Sequence, residues 1–248
     1  MTANRVLIVP AAGRGTRLDP SRPKALVEVA GRPMLDHLLD LYGPVVSRVI
    51  VVASPVFADD FSRWAERHPH VSVAEQPVPT GMLDAILAAR PAVQRQQAGA
   101  VWVTWADQIG VLPATVRRLV EMTAGDPPPA LALPIVTRAD PYIHFDRDAR
   151  GTIVALRQRR EGDAMPDEGE SDMGVFAMTG AAFDGELMAY ARETIPGAVT
   201  GERNFLPFVP WLAARSTVVT VPCTDPMEAI GINTFADLRQ VEAWLRTR

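Results

Sequence analysis

The segment from Val9 to Lys24, V-P-A-A-G-R-G-T-R-L-D-P-S-R-P-K, constrains this chain more than any other stretch. It follows directly on Arg5 to Pro10 (RVLIVP), an apolar run that reads as a buried strand. Ala11, Ala12, Gly13 and Gly15 leave the backbone bare, so several N–H groups can approach a polyphosphate closely and form a concave anion site. Arg14 and Arg17 add charge that can neutralise a triphosphate, and Lys24 supplies a further point charge just after the restraining Pro23. Two other glycine-loop patterns are absent. A dinucleotide fingerprint needs a third glycine where Leu18 stands, and a Walker A loop needs a Gly-Lys-Ser/Thr tripeptide. An ordinary strand-to-helix turn needs neither the two arginines nor the Pro-Lys step.

The surrounding pattern places this loop in an α/β fold. Arg48 to Ala53 (RVIVVA), Val71 to Ala74 and Ala100 to Trp105 (AVWVTW) read as further strands. Helical patterns at 33–42, 55–67 and 113–122 alternate with them, and Thr80 is expected to cap a helix carrying Leu83, Ile86 and Leu87. Such alternation predicts a Rossmann-like, mixed but mainly parallel sheet flanked by helices. The second half is less regular. Strands are expected at 131–136, 142–147, 152–158, 173–178 and 217–222, and helices near 180–193, 204–214 and 234–246. Glu161 to Asp172 holds six acidic residues and few apolar ones, and reads as an exposed loop.

Composition narrows the function classes. An apolar fraction of 48% supports one sizeable core, so residues 1–248 are expected to form a single domain. Within it, 1–125, which carries the glycine loop, is the expected nucleotide-binding half, and 126–248 is left as the expected acceptor-binding half. The net charge of −4 argues against a nucleic-acid or anionic-membrane partner. Cys223 is the only cysteine, which excludes an internal disulfide and a cysteine-built zinc site. No apolar run approaches the roughly 18 residues that span a bilayer. With no signal-peptide pattern at Met1 to Arg5, a cytoplasmic location is the expectation. Assembly as a homo-oligomer stays open.

The loop resembles the signature of the nucleotidyltransferase superfamily that includes sugar-1-phosphate thymidylyltransferases and N-acetylglucosamine-1-phosphate uridylyltransferases. Gly31-Arg32-Pro33-Met34, a usual sequel to that loop, extends the resemblance. It implies that Gly13, Arg14, Gly15 and Thr16 wrap the NTP phosphates. Arg17 would stabilise charge developing at the α-phosphate and on the leaving pyrophosphate, and Lys24 would contact the acceptor phosphate. In Gln76-Pro77-Val78-Pro79-Thr80-Gly81, the Gln and Gly match the pair that hydrogen-bonds the pyrimidine in these enzymes. Gln76 can both donate and accept, as an edge of uracil or thymine requires. The alternative for Gln76 is a surface residue beside a helix cap.

Asp107 ends the strand AVWVTWA, where open α/β sheets place ligands. The resemblance makes it a Mg²⁺ ligand, and Glu228-Ala229-Ile230-Gly231-Ile232-Asn233 resembles the uridylyltransferase segment that ends in a second metal residue, Asn233. Asn233 also stands just before a helix start, so a helix N-cap is its other reading. The acceptor site would be formed by Tyr142, Gln158 and Asp172. Here the chain departs from the N-acetylglucosamine enzymes, with Ile143 where they carry Gly, Gln158 for Glu and Asp172 for Asn. Those departures count against N-acetylglucosamine 1-phosphate. Asp172 could accept from sugar hydroxyls or pair with an amine, and Arg157, Arg159 and Arg160 could meet a phosphate or be a solvated strand end.

The reaction implied is Mg²⁺-dependent transfer of a nucleoside monophosphate, from UTP or dTTP by preference, to a small phosphorylated acceptor such as a sugar 1-phosphate. Two other readings compete. The main one is a cytidylyltransferase for a polyol phosphate, phosphonate or amino-alcohol phosphate; of these, the methylerythritol phosphate enzymes are disfavoured, because Asp107-Gln108-Ile109-Gly110 stands where they carry Asp-Ala-Ala-Arg. A non-catalytic nucleotide-binding relative would be expected to lack Arg17, Lys24 or Asp107, and all three are present.

Overall fold

The computed structural model describes residues 4–13, 18–19, 21–223 and 225–247. The first half begins with β1 (Arg5–Pro10), the short β2 (Glu28–Val29) and β3 (Arg32–Pro33), β4 (Arg48–Ala53) and β5 (Val71–Glu75). The helices α1 (Met34–Tyr42), α2 (Ala58–Ala65), α3 (Met82–Ala88) and α4 (Arg90–Arg95) connect them to β6 (Ala100–Thr104), and α5 (Pro113–Met122) follows. The second half comprises β7 (Leu131–Ala139), β8 (Ile143–Arg147), β9 (Ile153–Gln158), β10 (Glu168–Asp172) and β11 (Val175–Thr179). It closes with α6 (Leu187–Glu193), α7 (Phe208–Ala213), β12 (Val218–Cys223) and α8 (Phe235–Leu245).

One eight-stranded sheet runs through both halves. β5, β4, β1 and β6 pair in parallel, as do β7 and β12. β11 runs antiparallel between them, pairing β6 on one side and β7 on the other, and β10 pairs antiparallel with β7 alone. The expected mainly parallel α/β sheet is therefore the fold, with a single reversed segment at its centre. Helices cover both faces, which is why β1 and β4 read as continuous apolar runs instead of alternating ones. Along β1, Val6 and Ile8 pack into the core under α3, α4, α6 and α7, while Leu7 and Val9 pack into the core under α1, α2 and α5. The α1 residues Met34, Leu35, Leu38, Leu39 and Tyr42 bury one stripe at helical spacing against this second core.

Three expectations need correction. Residues 161–172 are not all loop, because β10 occupies 168–172 and pairs with Ile135–Ala139 of β7. Gly169 and Ser171 face inward with small side chains, while Glu168, Glu170 and Asp172 alternate to the other face, so the strand carries no apolar signal. Thr80 does not cap α3. Gly81 holds the cap position, and the Thr80 hydroxyl donates to Asp84 Oδ2 at 2.6 Å. The 55–67 helix opens as a 3-10 turn over Pro55–Phe57 and only then becomes α2. The hairpin β8–β9 stands apart as its own two-stranded sheet, with Phe145 and Ile153 buried against the main core.

β10 and β11 are one strand broken at Met173-Gly174. Gly174 has φ +68°, and a Cβ there would lie 2.5 Å from Trp105 Cδ1 and 2.6 Å from Gln108 Cγ. The bend aims Asp172 towards the carboxyl end of β6. We expect Gly174→Ala to cost about 2 kcal/mol and to lower the thermal midpoint by roughly 4–8 °C. An unchanged midpoint in calorimetry would contradict this account of the bend.

Candidate active site

A cleft of about 690 Å³ opens at the carboxyl ends of β1 and β6, between residues of the two halves of the chain. Ala12 and Gly13 line it directly after β1, and Ala11 lies just behind, its N–H donating to Val52 O at 2.8 Å. Arg14, Gly15, Thr16 and Arg17 lie outside the described residues. Asp19 Oδ1 then accepts from the N–H and hydroxyl of Ser21, a turn that leads through Pro23 into the 3-10 segment Lys24–Leu26. The Lys24 ammonium reaches two distant residues at once. It donates to Asp107 Oδ2 in a short ion pair and to Asn233 Oδ1 at 2.8 Å.

Each of those two partners is fixed by backbone. Asp107 sits beyond β6, and its carbonyl accepts from Ile232 N–H at 3.2 Å, which ties it to the segment bearing Asn233. Asn233 is not the helix cap. Thr234 caps α8 through a capping box with Asp237, leaving the Asn233 carboxamide oxygen for Lys24. Gly231 faces the same point. A Cβ there would lie 3.5 Å from Asp107 Cγ, 3.5 Å from Asn233 Nδ2 and 3.3 Å from Gln108 Nε2. Asp107 and Asn233 thus offer two oxygens that already hold a cation, beside a space that a side chain would fill. Magnesium takes one or two carboxylates together with phosphate oxygens and water, so this donor set fits it. Among the described residues no cluster of three or more His, Cys, Asp or Glu suits a metal.

Gln76 and Gly81 line the opposite wall. Gln76 is 6% exposed, and its Nε2 donates to Gly81 O at 3.1 Å, which leaves its Oε1 to accept. Gly81 adopts φ +130°, and a Cβ would meet the backbone O and N of Arg203 at 2.5 and 2.6 Å. The close approach is locked by Arg203 N–H to Thr80 O at 2.8 Å and Leu83 N–H to Arg203 O at 3.0 Å. The wall that carries Gln76 is therefore held by a segment of the second half.

At the far end stand Tyr142, Gln158 and Asp172. Tyr142 is half exposed, whereas Gln158 is buried with no hydrogen-bond partner for its Oε1. Asp172 Oδ1 accepts from Gly174 N–H at 2.8 Å, and desolvation pushes its carboxyl up to about 6 although the cleft keeps it in partial contact with solvent. The three neighbouring arginines separate. Arg157 pairs with Asp146 and Arg159 with Asp140, both away from the cleft, and only Arg160 lines it, donating to Glu202 Oε2 at 3.0 Å and to Asn204 Oδ1. None of the four histidines lines the cleft.

Sequence reasoning did not single out Trp105, Arg138, Glu202 or Phe205 as lining residues, and treated Gln108 only as a departure from another family. Glu228 is a further addition. It is 4% exposed, and its Oε2 accepts from Leu112 N–H at 2.9 Å and Thr115 Oγ at 2.6 Å at the start of α5. A carboxylate at a helix N-terminus is favoured by the orphan N–H groups there, and this one anchors the segment that delivers Asn233. Its only sequence signal was its place in the segment ending at Asn233.

The cleft lies at the carboxyl ends of a mainly parallel sheet, where open α/β proteins bind their ligands, and brings Ala12 and Gly13 together with the cluster of Lys24, Asp107 and Asn233. Residues 7–171 match the MobA-like NTP transferase domain, well over half of the chain, and the chain belongs to that family. It is a nucleotidyltransferase. It is 30% identical over 250 residues to the bifunctional protein GlmU of Pelotomaculum thermopropionicum, covering 97% of this chain and 52% of that protein. It is 31% identical over 243 residues to the GlmU of Acidiphilium cryptum (97% and 53% covered), and 28% over 251 residues to that of Solibacter usitatus (98% and 52%). The chain spans about half the length of these curated relatives. No helix among the described residues is long and apolar enough to cross a membrane.

Two outcomes test this geometry. Glu228→Ala strands a buried N–H and hydroxyl, and is expected to cost about 2–3 kcal/mol in urea unfolding; a loss below about 0.5 kcal/mol, the range of neutral surface changes, would contradict the anchor. For Asp172, the folded pKa lies above the ordinary 3.8, so the stability linked to its proton is greatest below that value and is lost as pH rises through about 6. Asp172→Asn keeps the acceptor for Gly174 and removes the charge. Its thermal midpoint should gain on the wild type between pH 5 and pH 7.5, and a constant difference across that range would count against the assignment.

Proposed function

We propose that this chain transfers a nucleoside monophosphate from an NTP to a sugar 1-phosphate, releasing pyrophosphate and forming an NDP-sugar, with Mg²⁺ as cofactor and UTP or dTTP as preferred donor. The observation that carries the reading is the meeting of Lys24, Asp107 and Asn233 in one cleft, beside the bare backbone of Ala12 and Gly13. Residues 1–248 act as one domain in this reading, the first 125 holding the nucleotide and the remainder the acceptor.

The chemistry is an in-line displacement. An acceptor phosphate oxygen forms a bond to the α-phosphorus, and the bond to the bridging oxygen breaks so that its electron pair leaves with pyrophosphate. The attacking phosphate is already ionised at neutral pH, so no general base is needed, in keeping with a cleft that holds no histidine. Transfers of this type are driven by positioning and charge neutralisation. Asp107 and Asn233 would hold Mg²⁺, which supplies charge neutralisation on the phosphate oxygens when bound. Lys24, released from these two partners, turns its ammonium to the acceptor phosphate. Arg17 is assigned to the α-phosphate and the leaving group.

Base choice falls to Gln76. With its Nε2 committed to Gly81 O, its Oε1 accepts from the ring, which suits the N3–H of uracil or thymine. Gly81 brings the backbone close to the same ring.

Pyrophosphate release, measured with each NTP (dTTP included) against a panel of phosphorylated acceptors, tests the proposal. We expect acceptor-dependent release, falling by about 100-fold or more in Lys24→Ala and in Arg17→Ala while circular dichroism stays unchanged. Full activity in both variants, or no NTP binding by calorimetry, would overturn it.

A further inference from the structure

The far end of the cleft holds two hydrogen-bond acceptors that the protein leaves without donors of matching charge. Asp172 accepts from the N–H of Gly174 and is also hydrogen-bonded by its own backbone N–H and the Trp105 side chain, yet among the described residues no ion pair joins it to a Lys, Arg or His. Of the arginines nearest in sequence to Gln158, Arg157 pairs with Asp146 and Arg159 with Asp140 outside the cleft, while Arg160 lines the cleft, as Arg138 does, and pairs there with Glu202. Gln158 itself is 6% exposed and lines the same cleft with its Oε1 unpartnered. A buried acceptor without a donor is costly, and an unpaired carboxylate more so, unless a ligand completes it. Trp105 and Phe205 form part of the surrounding wall, their rings packed edge to face at 6.0 Å. Aromatic walls around a carboxylate favour a cation over a neutral polar group.

We infer that the acceptor of this enzyme carries a free ammonium group, received in the cleft by Asp172 and Gln158. The inference rests on the reaction proposed above and specifies the chemical class of its second substrate. A sugar hydroxyl would satisfy the hydrogen bonds but leave the carboxylate without a countercharge. An ammonium group supplies up to three donors and the missing charge together. An N-acetylated amine supplies one donor and no charge.

Matched substrate pairs test this directly. Glucosamine 1-phosphate would be compared with N-acetylglucosamine 1-phosphate and glucose 1-phosphate, and 2-aminoethyl phosphate with ethyl phosphate, reading pyrophosphate release with every NTP and binding by calorimetry. The amine-bearing member of at least one pair should be preferred by about tenfold, the gain of a charge-assisted over a neutral hydrogen bond. The pair that shows it separates an amino-sugar phosphate from an amino-alcohol phosphate. In Asp172→Asn the preference should collapse to about parity while NTP affinity is retained. Equal use or equal binding of both members of every pair, or a preference that survives in Asp172→Asn, would overturn the inference and leave the nucleotidyl-transfer reading standing. Loss of NTP binding in the wild type would instead remove that underlying reading.

Discussion

The Lys24 ammonium, shared between Asp107 and Asn233, is the interaction on which the arrangement of the cleft depends. These residues come from the end of the glycine loop, the end of β6 and the approach to α8, and are separated in sequence by 83 and 209 positions. Holding two oxygen donors side by side in a partly buried cleft costs electrostatic energy unless a cation lies between them. Lys24 supplies that cation in the chain by itself. Glu228 and the link from Ile232 to Asp107 then keep Asn233 in place from the opposite side.

A second set of contacts joins the nucleotide wall to the acceptor half. Arg203 presses its backbone against Gly81, and its side chain bonds Asp84 and the Ala191 carbonyl. One residue further, Asn204 accepts from Arg160 and donates to Glu161 at 2.9 Å. Glu161 in turn accepts from Thr200 and Val199, hydrogen bonds that hold its carboxyl down at about 2. The segment 199–204 thus bonds Glu161 through residues 199 and 200 and meets Gly81 and Arg160 through Arg203 and Asn204.

Much of the fold was legible because of where the strands lie. β1, β4 and β6 are central and parallel, so both faces are apolar and their limits stand out from the sequence. β10 was hidden for the opposite reason. It pairs along β7 with Gly169 and Ser171 turned inward, and its acidic residues dominate any reading by composition. The left-handed bend at Gly174, which aims Asp172 into the cleft, left no sequence trace beyond the glycine itself. Spacing could locate the glycine loop and Asp107 as ligand-facing ends of strands. It could not bring Lys24 to Asn233, a tertiary contact for which only the family resemblance offered a hint. The commitment of Arg157 and Arg159 to outward ion pairs, and of Arg160 to Glu202, was likewise beyond a one-dimensional reading, since three adjacent arginines look alike until β9 ends and a 3-10 turn begins.

In the proposed reaction Asp107 and Asn233, with Lys24 between them, form the phosphate-transfer centre and hold its metal. The most direct test is a titration with Mn²⁺, a paramagnetic substitute for Mg²⁺, followed by electron paramagnetic resonance in the presence of a non-hydrolysable UTP analogue. The account predicts nucleotide-dependent Mn²⁺ binding that weakens by about tenfold or more in Asp107→Asn and in Asn233→Ala. Binding of equal strength in the wild type and in both variants would contradict it, and would place the metal and the chemistry elsewhere in the molecule.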